Sequence, residues 1–255
     1  MFPFLAGIDP IKQFEVKKIF SIENVFGYDL SFTNSSFYMV LGVLLVIALF
    51  GYAASRTSLV PSRIQSIGEI GYEFVANMVR SITGEEGLKF FPFVFTLFTF
   101  IFVANLIGMI PYAFTTTSHL VVTGAMALLV ISMVIIFGFL KNGLGFFRLF
   151  LPSGVPIFIA PLIIVIEIIS FFARPVTLGM RLFANMLAGH IMLKLLVAFA
   201  VAMFSAGGLV TAISWAPFAL AIPITALEFL VAFLQAYVFA LLTCVYLNDA
   251  LHPGH

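Results

Sequence analysis

The chain has 255 residues, of which 62% are hydrophobic and 9% charged, with a formal net charge of +1 and a mean hydropathy of +1.19. A soluble chain of this length needs far more polar residues to cover its surface, so a soluble globular domain is excluded. The near-zero charge leaves no electrostatic footprint for nucleic acid.

The opening, MFPFLAGIDPIKQFEVKK, has no basic region ahead of an apolar core and no cleavage site, and reads as mature protein. Residues 1–36 are mixed and polar and end in SFTNSS, hydroxyl and amide residues suited to capping the helix that follows. Residues 37–54 form the first spanning segment, near the minimum needed to cross about 30 Å of hydrocarbon. Segment 62–82 then changes character. It places Ile64, Ile67, Ile70, Phe74, Val75, Met78 and Ile82 on one helical stripe, with Gln65, Glu69, Glu73, Asn77 and Arg80 on the other face. Such a helix lies along the membrane surface or packs on a bundle rather than spanning. TGEEG at 83–87 ends it. Segments 90–114 and 120–140 are two further spans, joined by the short polar link TTTS and followed by KNGLG.

The basic residues orient these spans. Arg56, Arg63, Arg80 and Lys89 follow the first span, Lys141 and Arg148 follow the third, and the link between the second and third has none. The positive-inside rule puts the 62–82 helix on the cytoplasmic (or matrix) side and the amino terminus outside, with Lys12, Lys17 and Lys18 counting the other way.

The rest of the chain is apolar almost throughout, broken by SAGGL at 205–209. As one helix, 157–203 measures roughly 70 Å, too long to stand upright in a bilayer. Either it breaks near RPVTLG, where Pro175 and Gly179 permit a break, or it stays continuous and steeply tilted, a hairpin partner to a second long helix at 214–246. Periodicity leaves both open. Cys244, the single cysteine, sits in this apolar stretch, so no disulfide framework or zinc-ligand spacing exists.

Within that stretch lie ionisable residues that are costly at depth. An arginine at the bilayer centre costs about 2.5–3.5 kcal/mol on insertion scales, so such residues mark ion paths or pairing sites. Glu167, Arg174 and Arg181 recur every seven residues and Asn185 follows Arg181 by four, which puts all of them on one broad helical face. His190, half a turn out of phase, faces the opposite side; Glu228 and Gln235 share a face of the second long helix. One polar surface is suited to a partner and the other to an aqueous route. Arginine cannot lose its proton in a protein and therefore cannot relay one, but it holds a fixed charge that repels a hopping proton and attracts an ionised carboxylate. His190 and Glu228 can change protonation state and are the relay candidates.

Blander readings stand beside these. Arg174, next to Pro175, can be a helix-end residue reaching the interface, and His190 with Glu228 a structural pair. Asn185, Gln235 and Asn105 suit interhelical hydrogen bonding. Lys194 reaches toward the interface, and His119, His252 and His255 read as solvated. No GxxxxGK[ST] loop, no glycine-rich dinucleotide pattern and no histidine cluster for haem or metal is present, so cofactors and metals are not expected and any link to ATP must come through partners.

The stretch RLFANMLAGH at 181–190 identifies a resemblance to the a subunits of F-type ATP synthases, and the resemblance covers nearly the whole chain. It extends through SFTNSSFYM at 31–39, FFPFVFTLFTFIFVANLIGMIPYAFTTTSH at 90–119, EFLVAFLQAYVFALLTCVYLNDA at 228–250 and the tail LHPGH. It implies an all-α polytopic membrane protein of about five membrane helices plus an amphipathic surface helix, the last two helices forming a long tilted hairpin against a ring of c subunits. It implies that Arg181 is the indispensable coupling arginine with Asn185 and Gln235 beside it. His190 and Glu228 then line the proton inlet, Glu167 lies near a half-channel and Arg174 supports it. Implied partners are the c ring, the b subunits of the peripheral stalk, the rest of the ATP synthase, protons and the lipid bilayer. The chain would be non-catalytic by itself and would sit in a bacterial inner membrane, with the mitochondrial inner membrane as the alternative. A stand-alone channel or secondary transporter is the rival class, against which no clear internal repeat is found. An inert scaffold leaves the buried arginines without a reason.

Overall fold

The computed structural model describes residues 15–20, 31–55, 62–110, 113–150, 156 and 158–252. Lys12, Arg56, the end of the tail with His255, and part of the 90–114 segment lie outside the described residues. Helices dominate, the exception being an antiparallel pairing of β1 (Lys18–Phe20) with β2 (Phe32–Thr33). Five helical segments are long and apolar enough to cross a membrane, so the protein is an all-α polytopic membrane protein.

Helix α1 (Asn34–Ser55) starts where hydroxyl and amide groups take up its first backbone donors. Thr33 Oγ1 accepts from the Ser36 N–H at 3.3 Å, and Asn34 Oδ1 accepts from the Lys17 N–H at 3.1 Å, tying the helix start to the residue just before β1. Helix α2 (Arg63–Thr83) is capped by Ser62, whose side chain accepts from the Gln65 N–H, and stops at Gly84, whose φ of 67° suits only glycine well. The stripe read from periodicity divides here. Val75 and Met78 are buried, but Ile64, Ile67, Ile70 and Phe74 are exposed while Gln65 and Gly68 are buried instead. The reason is steric: a Cβ at Gly68 would meet the Ala53 Cβ of α1 at 2.8 Å, so α1 lies against the glycine side of α2 and leaves the isoleucines facing outward.

A 3-10 turn at Glu85–Phe90 leads into α3 (Phe91–Gly108), with a proline in its first turn, where the missing donor costs nothing. The link to α4 (Leu120–Asn142) is not a solvent loop. Thr115 to Ser118 are all buried, and His119, read above as solvated, is half-buried and stacked on Phe114 at 4.8 Å. The 3-10 segment Gly143–Phe150 follows α4.

Helix α5 (Ala160–Ala206) runs unbroken for 47 residues, about 70 Å, with Pro175 inside it. Gly179 therefore marks a close approach rather than a break: a Cβ there would lie 3.2 Å from the Thr123 carbonyl oxygen, so glycine lets α4 cross α5 backbone to backbone. After the short α6 (Gly208–Ile213), α7 (Trp215–Leu251) returns antiparallel along α5, as the pairs His190–Glu228 and Arg174–Asp249 require. Ala232, Ala236 and Ala240 are fully buried and recur every four residues on α7. That small-residue stripe admits α3, whose Asn105 Nδ2 donates to the Ala232 carbonyl at 3.1 Å. Ile101, Val130, Leu182, Met186 and Phe239 fill the centre. Much of the outer surface of α5 and the first half of α7 is exposed and apolar, as lipid or a membrane partner demands.

Candidate functional site

Two polar clusters lie along the α5–α7 hairpin, separated by a solitary arginine. In the first, His190 (8% exposed) and Glu228 (6%) bring Nδ1 within 3.2 Å of Oε1. Gly189 makes this possible, because a Cβ there would sit 2.8 Å from the same oxygen. On its other side the His190 ring meets Thr115 Oγ1 at 3.2 Å, and that hydroxyl also lies 3.3 Å from the Gly108 carbonyl. A hydroxyl has one proton. Donated to Gly108, it leaves Thr115 as the acceptor for an Nε2–H, and the neutral ring then turns a bare Nδ1 toward Glu228. The carboxyl and imidazole are thus arranged to share a proton.

In the second cluster Arg174 reaches across the hairpin. Its Nη1 donates to Asp249 Oδ2 at 2.9 Å, its Nη2 to Glu167 Oε1 at 3.3 Å, and its guanidinium lies 5.3 Å from the centre of the Tyr246 ring. All three charged side chains are a quarter to a third exposed. Two carboxylates around one cation leave a net negative site, and Arg174 is held in a pairing rather than extended to an interface. Near Gly143, Lys141 pairs with Glu86 at 2.6 Å and the Asn142 Nδ2 donates to the Ala250 carbonyl, fixing α4 against α7 at that end.

Arg181 stands between the clusters. It is seven residues from Arg174 and nine from His190, about 10 and 14 Å along the axis. It is exposed, and among the described residues it makes no ion pair or hydrogen bond. Asn185 is exposed one turn further on, and the register set by the two cross-hairpin pairs brings half-buried Gln235 level with it. The sequence put Glu167, Arg174 and Arg181 on one face. They share it loosely: Glu167 and Arg174 are half-buried and paired with each other, and Arg174 also meets Asp249 of α7, whereas Arg181 is exposed. Three partners escaped the reading of single segments. Thr115 and Asp249 each lie 75 residues from the side chain they meet, and Tyr246 faces Arg174 from the other helix. A carboxylate inside the apolar stretch YLND was the available signal for Asp249.

The family model described as ATP synthase A chain matches residues 36–248. The chain belongs to that family. Among its relatives, ATP synthase subunit a of Hyphomonas neptunium is 63% identical over 96% of this chain and 97% of its own length. That of Maricaulis maris is 61% identical over 98% and 100%, and that of Rhodopseudomonas palustris 60% identical over 97% and 99%. The family match takes in both polar clusters and Arg181, except for Asp249, which falls one residue beyond it.

Proposed function

We propose that this chain is the proton-translocating stator subunit of an F-type ATP synthase, non-catalytic by itself and seated in a bacterial inner membrane. It works against a ring of c subunits and is held by the b subunits of the peripheral stalk. The observation that carries this reading is the placement of Arg181, exposed and unpaired among the described residues, midway between two clusters of titratable groups.

His190 and Glu228 form the inner end of the inlet half-channel on the outer side. A proton taken up by the pair passes to a c-subunit carboxylate presented to the exposed face of α5. The neutral carboxyl then travels with the ring through lipid, where ionisation is forbidden by its cost. At the end of the circuit it releases its proton to the second half-channel, at the negative cluster of Glu167, Arg174 and Asp249, which leads to the inner side. Arg181 separates the two routes. Its fixed charge blocks direct passage and favours the ionised carboxylate by about 4 kcal/mol for charges 4 Å apart at an effective dielectric near 20. Asn185 and Gln235, level with each other beside Arg181, offer neutral hydrogen-bonding groups to the same carboxylate.

The test is Arg181→Ala in the complete complex. Proton-driven ATP synthesis should be abolished while the complex still assembles. Normal synthesis in that variant overturns the proposal.

A further inference from the structure

The last turns of α4, the 3-10 segment Gly143–Phe150 and the first part of α5 enclose a groove of about 480 Å³, within the range of about 300–1,000 Å³ usual for small-molecule sites. Its walls are phenylalanine and isoleucine side chains only. Gly138 makes the fold-back possible: a Cβ there would overlap the Phe146 ring, so the 3-10 segment lies close against α4 and buries Phe146. Phe171 of α5 closes the inner side, its ring centre 6.4 Å from that of Phe146 and 5.5 Å from that of Phe150. Phe147 and Phe172 stay exposed at the mouth. From Ile164 to Phe172 the groove runs about 12 Å along α5.

Two observations say what fills it. Helices in membranes approach each other through small residues, as α3 does at the alanine stripe of α7, and this groove has no glycine, alanine or serine in its lining. A partner helix would rest on the phenylalanine tips and leave gaps that forfeit contact, whereas a flexible hydrocarbon chain lies between them. The second observation is charge. With three residues per turn, the 3-10 segment turns Phe146 and Leu149 to one side, Phe147 and Phe150 to a second and Arg148 to the third. Arg148 is exposed and makes no ion pair or hydrogen bond among the described residues. The sequence holds no carboxylate between Glu86 and Glu167, and Glu86 is taken by Lys141. A guanidinium without a counter-charge thus stands beside the groove, at the end of α4 that the positive-inside rule assigns to the leaflet rich in anionic lipid. We propose that this groove binds an anionic phospholipid, with an acyl chain between the phenylalanines and the phosphate on Arg148. The site goes beyond the function proposed above and does not depend on it.

The experiment uses the complete ATP synthase in phosphatidylcholine proteoliposomes containing a trace of phosphatidylglycerol with a photoreactive diazirine in its acyl chain. Mass spectrometry of the labelled peptides is the readout. Label should fall on the groove residues of α4, the 3-10 segment and α5, and an excess of unlabelled phosphatidylglycerol should reduce it severalfold where extra phosphatidylcholine does not. A phosphatidylcholine with the same diazirine chain should label the groove severalfold less. Arg148→Gln should cut the phosphatidylglycerol label severalfold and Arg148→Lys should keep it, at equal amounts of assembled complex on a native gel. The side chain is exposed and unpaired among the described residues, so neither variant endangers the fold. Equal labelling by the two lipids, or an Arg148→Gln complex that labels as the unsubstituted one does, reduces the groove to ordinary boundary lipid and overturns the proposal. A groove that takes no label in the unsubstituted complex overturns it as well, and assigns the surface to a partner subunit.

Discussion

Gly189→Ala separates the work of the proposed inlet from the stability of the fold. The added Cβ would lie 2.8 Å from Glu228 Oε1 and 3.2 Å from the carboxyl carbon, so the carboxylate must retreat by about half an ångström to reach ordinary contact distance. Gly189 directly precedes His190, so the displaced carboxylate loses the geometry of its 3.2 Å approach to the imidazole. The atom that moves is the far end of a flexible side chain, so the fold should lose no more than about 1 kcal/mol. Proton transfer suffers more, since a positioned acid–base group contributes about a hundredfold or more to rate and depends on reach. We expect proton pumping to fall about tenfold, equivalent to about 1.4 kcal/mol on the barrier, at unchanged assembly. Fluorescence quenching by a pH-sensitive dye in inverted vesicles gives the rate, and the intensity of the intact complex on a native gel gives the amount. A Gly189→Ala complex that assembles fully and pumps at the unsubstituted rate would refute the claim that the His190–Glu228 distance matters.

Other substitutions test the frame around that pair. Gly179→Ala adds a Cβ 3.2 Å from the Thr123 carbonyl oxygen, a backbone atom that cannot swing aside, and should destabilise the α4–α5 crossing by about 1–3 kcal/mol. Its signature is a smaller yield of assembled complex and a lower unfolding temperature in detergent, and a wild-type yield and unfolding temperature would mean the crossing is loose. Arg174→Ala and Asp249→Ala, combined in a double-mutant cycle, should show a coupling of about 1–2 kcal/mol, above a surface pair but below a buried one because both groups are a quarter to a third exposed. A coupling indistinguishable from zero would remove the electrostatic clasp from the Arg174 end of the hairpin. Thr115→Val removes the acceptor that turns the ring of His190, and should reduce pumping severalfold, whereas Thr115→Ser should preserve it. Equal pumping by both variants would leave the ring orientation to some other contact.

The long helices and the residues at risk within them were legible because a bilayer imposes one rule on every exposed side chain. Apolar runs of spanning length, and charges inside them, are visible one residue at a time. Gly179 illustrates the boundary of that reading. In a single segment it is a weak point in a helix, and only the helix crossing it makes it a point of contact with Thr123. Segment 62–82 fails in the same way: its isoleucines recur at helical spacing, but periodicity names an apolar face without saying whether protein or lipid covers it. Here α1 takes the side of Gly68, and the isoleucines are left outside.

Composition alone determined that this protein lives in a membrane, and spacing alone determined that Arg174, Arg181, His190 and Glu228 lie in apolar helices where their cost demands a use. Tertiary structure alone decided which of them are paired. Thr115 and His190, like Arg174 and Asp249, are 75 residues apart in the chain and meet only because α5 and α7 run antiparallel with the α3–α4 turn folded over them. Local sequence carries helical phase, whereas the partner of a buried charge is set by how the helices cross, and it is that crossing which leaves Arg181 unpaired among the described residues.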